Sequence, residues 1–439
     1  MARVTDAATT LRTDQAVRRH QIRAVVSASV GTTIEWYDFF LYGVAAAAVF
    51  PQKFFPGSDP FIATMLSFTT FFIGFVARPI GAAIFGHFGD RVGRKKLLVF
   101  TMIVMGASTM AVGLTPGYDV IGVWGAVLLT IGRVLQGLAI GGQWSGSVLM
   151  AAEWTDPKRR GFTTSFAQLG APAGMVLANG ALALMTGITT DQQFLDWGWR
   201  IPFLASVALV ITGFYIRSGV RETPVFEELK KTGAIVKAPL VEVLRNNGKE
   251  VALSMFLRTS QQVCFYIYTT YVITYATTVL GFGRGLVLNM VMVMALVSCF
   301  ANPLFGHLSD VYGRRTITAI GCALMIVFPF VYFNLLDTRM LPLVFLAIVI
   351  SNPIQDLQYG PQAAFIAEAF PASVRYSGSA LGYQLASITA GGPAPLIATV
   401  LLREYGTSSA IAWYIAICSV ISLICCFLLP EHRGQRDRE

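Results

Sequence analysis

Six charged side chains interrupt otherwise apolar stretches of this 439-residue sequence: Glu35, Asp38, Arg78, Arg133, Arg258 and Asp356. A carboxyl in such surroundings can be neutral at one stage and ionised at another. Burial favours its neutral form, and a neighbouring arginine favours its charged form. Arginine presents a planar fork that grips a carboxylate through two parallel N–H donors. Together these types suit the exchange of a proton for an anion. Left unpaired in hydrocarbon, each charge costs about 2.5–3.5 kcal/mol, and six cost on the order of 15–20 kcal/mol. That exceeds the net stability of a typical domain. The six must pair or face a wet cavity. Three acids against three arginines permits pairing, and simple helix-to-helix ties are the plain alternative.

Helical spacing groups them. Glu35, Asp38 and Tyr42 fall at i, i+3 and i+7, on one helix face, and Arg133, Gln136 and Gln143 share another. Arg258 shares a stripe with Gln262, Phe265 and Tyr268 or Thr269, and Asn352, Asp356 and Tyr359 form a fourth. The expectation is a central pocket in which Asp38, with Glu35, accepts a proton. Arg133 would compete for Asp38 with a bound anion. Gln136, Gln143, Tyr42, Arg258, Gln262, Tyr268 and Tyr359 would complete the binding surface. Arg78 reads as a structural tie or a coupling residue. Asp356 has three readings: first neutralising Arg258, then a coupling role, then binding a cation.

The elements that must carry these residues follow from composition. Hydrophobic residues make up 54% of the chain and charged residues 13%, with a mean hydropathy of +0.60. A soluble protein carries about 25% charged residues, so a water-exposed globular surface is excluded. Apolar runs occur at about 25–50, 62–88, 97–115, 121–151, 162–187 and 200–218. They resume at 250–280, 285–308, 316–336, 341–368, 377–402 and 408–429. Spanning a bilayer takes about 20 apolar residues, so twelve transmembrane helices fit. The fold class expected is all-α and polytopic, without a cleavable signal. Residues 1–24 and 430–439 are tails, 25–218 and 250–429 are six-helix bundles, and 219–249 is a polar segment between them.

Lysine and arginine set the orientation. With the N-terminus inside, twenty-five lie in the tails and loops of the cytoplasmic side and five, Lys53, Arg200, Arg284, Arg339 and Arg403, on the other. That asymmetry places both termini in the cytoplasm. The net charge of +9 is spread over these loops and does not form a nucleic-acid surface. The six cysteines all lie in apolar runs without CxxC spacing and read as free, packed thiols. No metal-ligand cluster, HExxH or GxSxG is present, which argues against an enzyme, a cofactor or a metal.

The halves repeat. Gly86-His-Phe-Gly-Asp90-Arg91-Val-Gly93-Arg94-Lys95 recurs as Gly306-His-Leu-Ser-Asp310-Val-Tyr-Gly313-Arg314-Arg315, and Glu153 with Arg160 recurs as Glu368 with Arg375. Duplicated six-helix halves imply a two-fold axis along the membrane normal with a cavity between them. Glycine permits the tight turn, and Asp90 and Asp310 can accept from a helix N-terminus. The loops and the two Glu–Arg pairs therefore read as gate latches. His87 and His307 occupy equivalent positions and read as packing residues rather than pH sensors.

The Gly-x-x-x-Asp-Arg-x-Gly-Arg-Lys loop resembles the signature of the major facilitator superfamily. Glu35-Trp-Tyr-Asp38-Phe-Phe-Leu-Tyr-Gly43, Arg78-Pro79-Ile-Gly81, Arg133-Val-Leu-Gln136-Gly137, Trp197-Gly-Trp-Arg200-Ile-Pro-Phe203 and Glu222-Thr-Pro-Val-Phe226 resemble its metabolite–proton symporter branch. The likeness spans about 25 to 430. It implies the twelve-helix fold, alternating access, a bacterial inner membrane, a monomer, and small organic acids or zwitterionic osmolytes as substrates. It also assigns the repeated loops to stabilising the outward-open state. One position departs: the family's Gly-Gly-Glu-Trp-Gly-Gly is here Gly141-Gly142-Gln143-Trp144-Ser145-Gly146, which removes a titratable group. A proton-driven importer of an organic acid is the leading expectation. Uptake of proline or betaine is second, export third, and a membrane enzyme or a channel more distant.

Overall fold

A computed structural model describes residues 2–431, so the end of the C-terminal tail expected at 430–439 lies outside the described residues. Twelve long helices carry the fold. In the first half they are α1 (Ala2–Ala48), α2 (Pro60–Val92), α3 (Arg94–Leu114), α4 (Trp124–Glu153), α5 (Arg160–Ile188) and α6 (Arg200–Ser218). The second half contains α7, which starts as Gly248–Tyr266 and runs through Val272–Thr274, then α8 (Arg284–Tyr312), α9 (Arg314–Asp337) and α10 (Leu341–Glu368). Next come α11, built from Arg375–Ala386 and Ala394–Tyr405, and α12 (Ser409–Leu428). No strand occurs among the described residues. Short helices Pro224–Thr232 and Pro239–Asn246 lie in the polar segment between the halves.

Ten of these helices are long and apolar enough to cross a membrane among the described residues. The two that fall short are α1 and α7, the first helix of each half. Glu35 and Asp38 in α1, and Arg258, Gln261 and Gln262 in α7, dilute their hydropathy. They are nevertheless packed as the others are: α1 lies against α5, and α7 against α11 and α12. Their polar side chains point inward, where Asp38, Arg258, Gln261 and Gln262 are all buried.

The repeat in sequence becomes a repeat in packing. Within the first half α2 lies on α4 and α3 on α4 and α6; within the second, α8 lies on α10 and α9 on α10 and α12. The halves meet through α2 with α11 and α5 with α8, a pair of contacts that exchange under the two-fold relation.

Single glycines join α2 to α3 and α8 to α9. Gly93 has φ 115 and Gly313 φ 108, a region that side chains with a Cβ rarely enter. This reversal within one residue is what the repeated loop needs its glycine for. At Gly306 the helices also touch closely, since a Cβ there would lie 2.6 Å from the Gly161 carbonyl oxygen.

Candidate functional site

Asp38 and Arg133 sit on neighbouring helices and are joined through two neutral side chains. Arg133 Nη1 donates to Gln136 Oε1 at 3.1 Å, and Gln136 Nε2 donates to Thr109 Oγ1 at 2.7 Å. The Thr109 hydroxyl in turn donates to Asp38 Oδ2 at 2.8 Å. All four side chains are buried. The Arg133 guanidinium also lies over three rings, 4.5 Å from Tyr42, 4.7 Å from Phe71 and 5.1 Å from Phe39. Tyr42 is held by its hydroxyl, which donates to Thr70 Oγ1 at 2.8 Å.

Phe39 carries a second cation. Arg78 stands 4.7 Å from the Phe39 ring and 4.6 Å from Phe75, with Tyr266 of α7 beside it. Arg258 lies 3.0 Å from the Tyr383 ring and donates to the Tyr383 carbonyl oxygen and to Ser387 Oγ. Arg78, Arg133 and Arg258 therefore lean on aromatic faces, a placement that attracts a cation to the ring quadrupole. None of the three forms an ion pair with an acid among the described residues. Arg78 Nε, Arg133 Nε and Nη2, and Arg258 Nε are buried without a hydrogen-bond partner.

This arrangement differs from mutual pairing of the six charges. Asp356 does not neutralise Arg258: it faces Ser298 and Asn302 of α8, whereas Arg258 points at α11. Formal balance does not decide which faces meet. Glu35 lies toward Arg78, Arg217 and Arg258, with Oε2 lacking a hydrogen-bond partner. Gln143 donates to the Gly31 carbonyl at 3.2 Å, tying α4 to α1. Gln262 donates to Gln261 Oε1 at 3.0 Å and leaves its own Oε1 without a partner.

Tyr268 turns away from the arginines. Its hydroxyl meets Met325 Sδ at 3.6 Å and its ring packs on Tyr332 of α9. Ile267–Tyr271 forms a wider π turn, so positions counted from Arg258 at 3.6 residues per turn lose their bearing there. Tyr359 approaches the Tyr383 hydroxyl at 3.5 Å. Its backbone oxygen accepts from Gln168 at 3.0 Å, and Gln168 accepts from Trp144 Nε1 at 2.7 Å. Trp144 stacks on Tyr383 with ring centroids 3.4 Å apart. Thr109, Phe39, Trp144, Gln168 and Tyr383 escaped the sequence reading, because none of them is a charge or completes a polar stripe.

The repeated loops meet at one end of the bundle. Asp90 accepts from the backbone N–H groups of Tyr376 at 3.2 Å and Ser377 at 2.9 Å, and from Ser377 Oγ at 2.8 Å, at the start of α11. Asp310 accepts from Gly161 and Phe162 N–H at 2.9 and 2.7 Å, at the start of α5. Each is an acid from one half on the N-terminus of a helix from the other, where the helix dipole favours negative charge. Arg94 lies 3.7 Å from Asp90 and 3.4 Å from Glu153; Arg314 lies 2.6 Å from Asp310 and 3.3 Å from Glu368. Arg160 Nε donates to the Ala152 carbonyl and Arg375 Nε to that of Phe370. Arg91 instead meets His87 within its own helix. The end that carries these loops is closed.

Two further acids extend the symmetry. Glu222 accepts from Arg94 and Lys95 N–H at 3.1 and 3.2 Å, and Glu431 accepts from Arg314 and Arg315 N–H at 2.6 and 3.3 Å. Burial pushes the Glu222 carboxyl above its ordinary value, against those N–H groups and Arg94.

Comparison with known proteins decides the family. The profile of the Major Facilitator Superfamily matches residues 28–393. The chain belongs to that superfamily. Members of this superfamily are membrane transporters, so the chain is a multi-pass transporter and not an enzyme. It is 42% identical to the inner membrane metabolite transport protein YhjE of Escherichia coli (strain K12), over 94% of this chain and 95% of that one. It is 37% identical to the shikimate transporter of the same organism, over 93% and 94%, and 32% identical to its proline/betaine transporter, over 92% and 82%. A structure of the proton:xylose symporter XylE of E. coli matches with TM-score 0.77 at 15% identity, over 95% of this chain and 98% of that one. That likeness shows the superfamily fold, with its two six-helix halves.

Proposed function

We propose that this transporter imports a small organic acid together with protons by alternating access, in a bacterial inner membrane and as a monomer, with both termini in the cytoplasm. One observation carries the reading: Arg78, Arg133 and Arg258 are buried with N–H groups unpartnered and no acid paired to them. A carboxylate ligand supplies the missing acceptors in the bidentate form that arginine recognises. The relay from Arg133 to Asp38 supports coupling. Its two neutral members keep the guanidinium and carboxylate apart yet within each other's field, so a bound anion and a bound proton favour one another reciprocally. Asp38 is then the proton site, with Glu35 beside it, and Arg133 the principal anion contact. Gln136, Tyr42, Arg258, Gln262 and Tyr359 line the route; Gln143, tied to α1, contributes no charge. The relative that is named for shikimate transport supports an acid.

The loops at Asp90, Gly93, Arg94, Asp310, Gly313 and Arg314, with Glu153, Arg160, Glu368 and Arg375, act as a cytoplasmic latch. The units are the bundles 25–218 and 250–429, linked by 219–249. A zwitterionic substrate is the second reading, favoured by the proline/betaine transporter among the relatives.

The test uses proteoliposomes with an imposed inward proton gradient and radiolabelled shikimate, with labelled proline as the comparison. Uphill uptake that collapses with a protonophore, disappears in Arg133→Ala, and in Asp38→Asn survives only as exchange is the expected result. Uphill uptake by Asp38→Asn removes the coupling scheme. Proline accumulation without shikimate uptake replaces the acid by the zwitterion.

A further inference from the structure

On the latch side of the arginines, four buried side chains join four helices in a ring. Trp144 on α4 donates through Nε1 to Gln168 Oε1 on α5 at 2.7 Å, and Gln168 Nε2 donates to the Tyr359 carbonyl on α10 at 3.0 Å. The Tyr359 hydroxyl lies 3.5 Å from that of Tyr383 on α11. The Tyr383 ring closes the circuit by stacking on Trp144, with centroids 3.4 Å apart and planes 16° from parallel. None of the four is more than 3% exposed.

Their positions in the sequence repeat. Trp144 stands nine residues before Glu153 and Tyr359 nine before Glu368; Gln168 stands eight after Arg160 and Tyr383 eight after Arg375. The ring is therefore two copies of one pair of positions, related as the latch residues are. At 1.5 Å per residue, each member lies about 12–14 Å along its helix from the latch. Arg133 lies eleven residues from Trp144 in the other direction, about 16 Å along α4.

Two links lie within a half, Trp144 with Gln168 and Tyr359 with Tyr383. The other two, the stack and the Gln168 bond to Tyr359, cross between the halves, and under alternating access only these part. The arginine pocket touches the ring directly. Arg258 Cζ lies 3.0 Å from the Tyr383 centroid, and an indole and a guanidinium this close to one ring occupy opposite faces of it. Tyr383 is therefore held between Trp144 of the first half and Arg258 of α7. Ser387, one turn beyond Tyr383 on α11, accepts from Arg258 at 3.4 Å and so lies on the pocket side of the ring.

We propose that Trp144, Gln168, Tyr359 and Tyr383 form an inner gate, the floor of the arginine pocket, which closes the path to the cytoplasm separately from the latch at Asp90 and Asp310. The inference rests on the reading of that pocket as the binding site. The indole and the two phenols supply the bulk of the barrier. Gln168 fixes the indole, because its amide accepts from Nε1 and donates across the interface with its other end. Loosening the latch alone leaves the pocket covered, and the stack must part as well.

The experiment measures how fast an impermeant, negatively charged methanethiosulfonate labels a cysteine on the pocket side, Ser387→Cys. The full-length protein carries Asp90→Ala, which weakens the latch, and is labelled in inside-out and in right-side-out membrane vesicles. The same protein without Ser387→Cys gives the background from native thiols. Adding Trp144→Ala should raise labelling from the cytoplasmic face about tenfold, as for loss of a strong aromatic pair. Gln168→Ala should raise it about threefold, as for one neutral hydrogen bond. Trp144→Phe, which keeps a ring on Tyr383, should stay below Trp144→Ala, and labelling from the opposite face should not rise. Tyr383→Leu carries the test if Trp144→Ala does not fold. Cytoplasmic labelling unchanged by the loss of either ring overturns the gate. Equal rises from both faces overturn it too, because loosened packing has no side. These rates need neither a substrate nor a proton gradient, so the gate and the proposed import fail separately.

Discussion

Replacing Asp90 by alanine removes three hydrogen bonds from the start of α11: those it accepts from Tyr376 N–H, Ser377 N–H and Ser377 Oγ. A hydrogen bond to a charged group is worth about 1.5–3 kcal/mol net, so the lower figure gives about 4.5 kcal/mol. These contacts join the two halves, and under the alternating access proposed above they part when that end opens. The ion pair of Asp90 with Arg94 lies within one half and is available in either state. At about 1.4 kcal/mol per decade, the loss shifts the closed-to-open ratio by about a thousandfold. Asp310→Ala removes two such bonds, about 3 kcal/mol on the same scale and about a hundredfold. The assay is a pulsed electron–electron distance measurement between spin labels at Lys158 and Tyr312. Both are exposed, and they lie on opposite halves at the closed end. Five of the six native cysteines are buried and the other is half-buried, so labelling selects the introduced pair. The expected result is a new long-distance population in both variants, larger in Asp90→Ala. An unchanged distribution in well-folded Asp90→Ala refutes the reasoning. A larger opening in Asp310→Ala refutes the counting of bonds.

Other perturbations address single features. Gly93→Ala places a Cβ 2.3 Å from Glu222 Oε2 at φ 115, and with about 1–3 kcal/mol of backbone strain its Tm in detergent should fall by several degrees. Gly313→Ala, where the nearest atom lies at 3.2 Å, should fall less, and equal losses would dismiss the role of Glu222. Thr109→Val breaks the relay at its middle, so gradient-driven uptake should drop about tenfold, as for about 1.4 kcal/mol. Exchange should persist, and an unaltered gradient response would show that the relay carries nothing. Because burial raises the Glu222 carboxyl, the folded state binds its proton more tightly than the unfolded chain. This group's contribution is then greatest below the ordinary carboxyl range and declines as pH rises through the raised value. Glu222→Gln does not titrate, so its Tm relative to wild type should increase with pH; a difference that shrinks reverses the sign.

The helices were legible because hydrocarbon demands long apolar runs. The duplication Gly86–Lys95 and Gly306–Arg315 gave the pairing of halves before any contact was visible. The faces were harder. Three acids and three arginines look like three ion pairs in a sequence. In space Arg133, Arg78 and Arg258 rest on Tyr42, Phe39, Phe75 and Tyr383, and phenyl rings in an apolar helix carry no distinguishing signal. Thr109 likewise looks like any hydroxyl that satisfies its own helix, and its oxygen does lie 3.0 Å from the Met105 carbonyl. Its place between Asp38 and Gln136 depends on how α3 is rotated against α1 and α4, which no single helix records. The π turns of α7 defeated the counting at Tyr268 for a local reason.

The weak hydropathy of α1 and α7 bears on how the chain is made. The ribosome delivers α1, with Glu35 and Asp38, before α3, α4, α6 and α7 are synthesised. Each of those acids carries an insertion penalty that only later segments can offset. The partners of α1 arrive with some delay: Thr109 on α3, Gln136 and Arg133 on α4 and, toward Glu35, Arg217 on α6 and Arg258 on α7. α7 repeats that delay until α11 brings Tyr383 and Ser387.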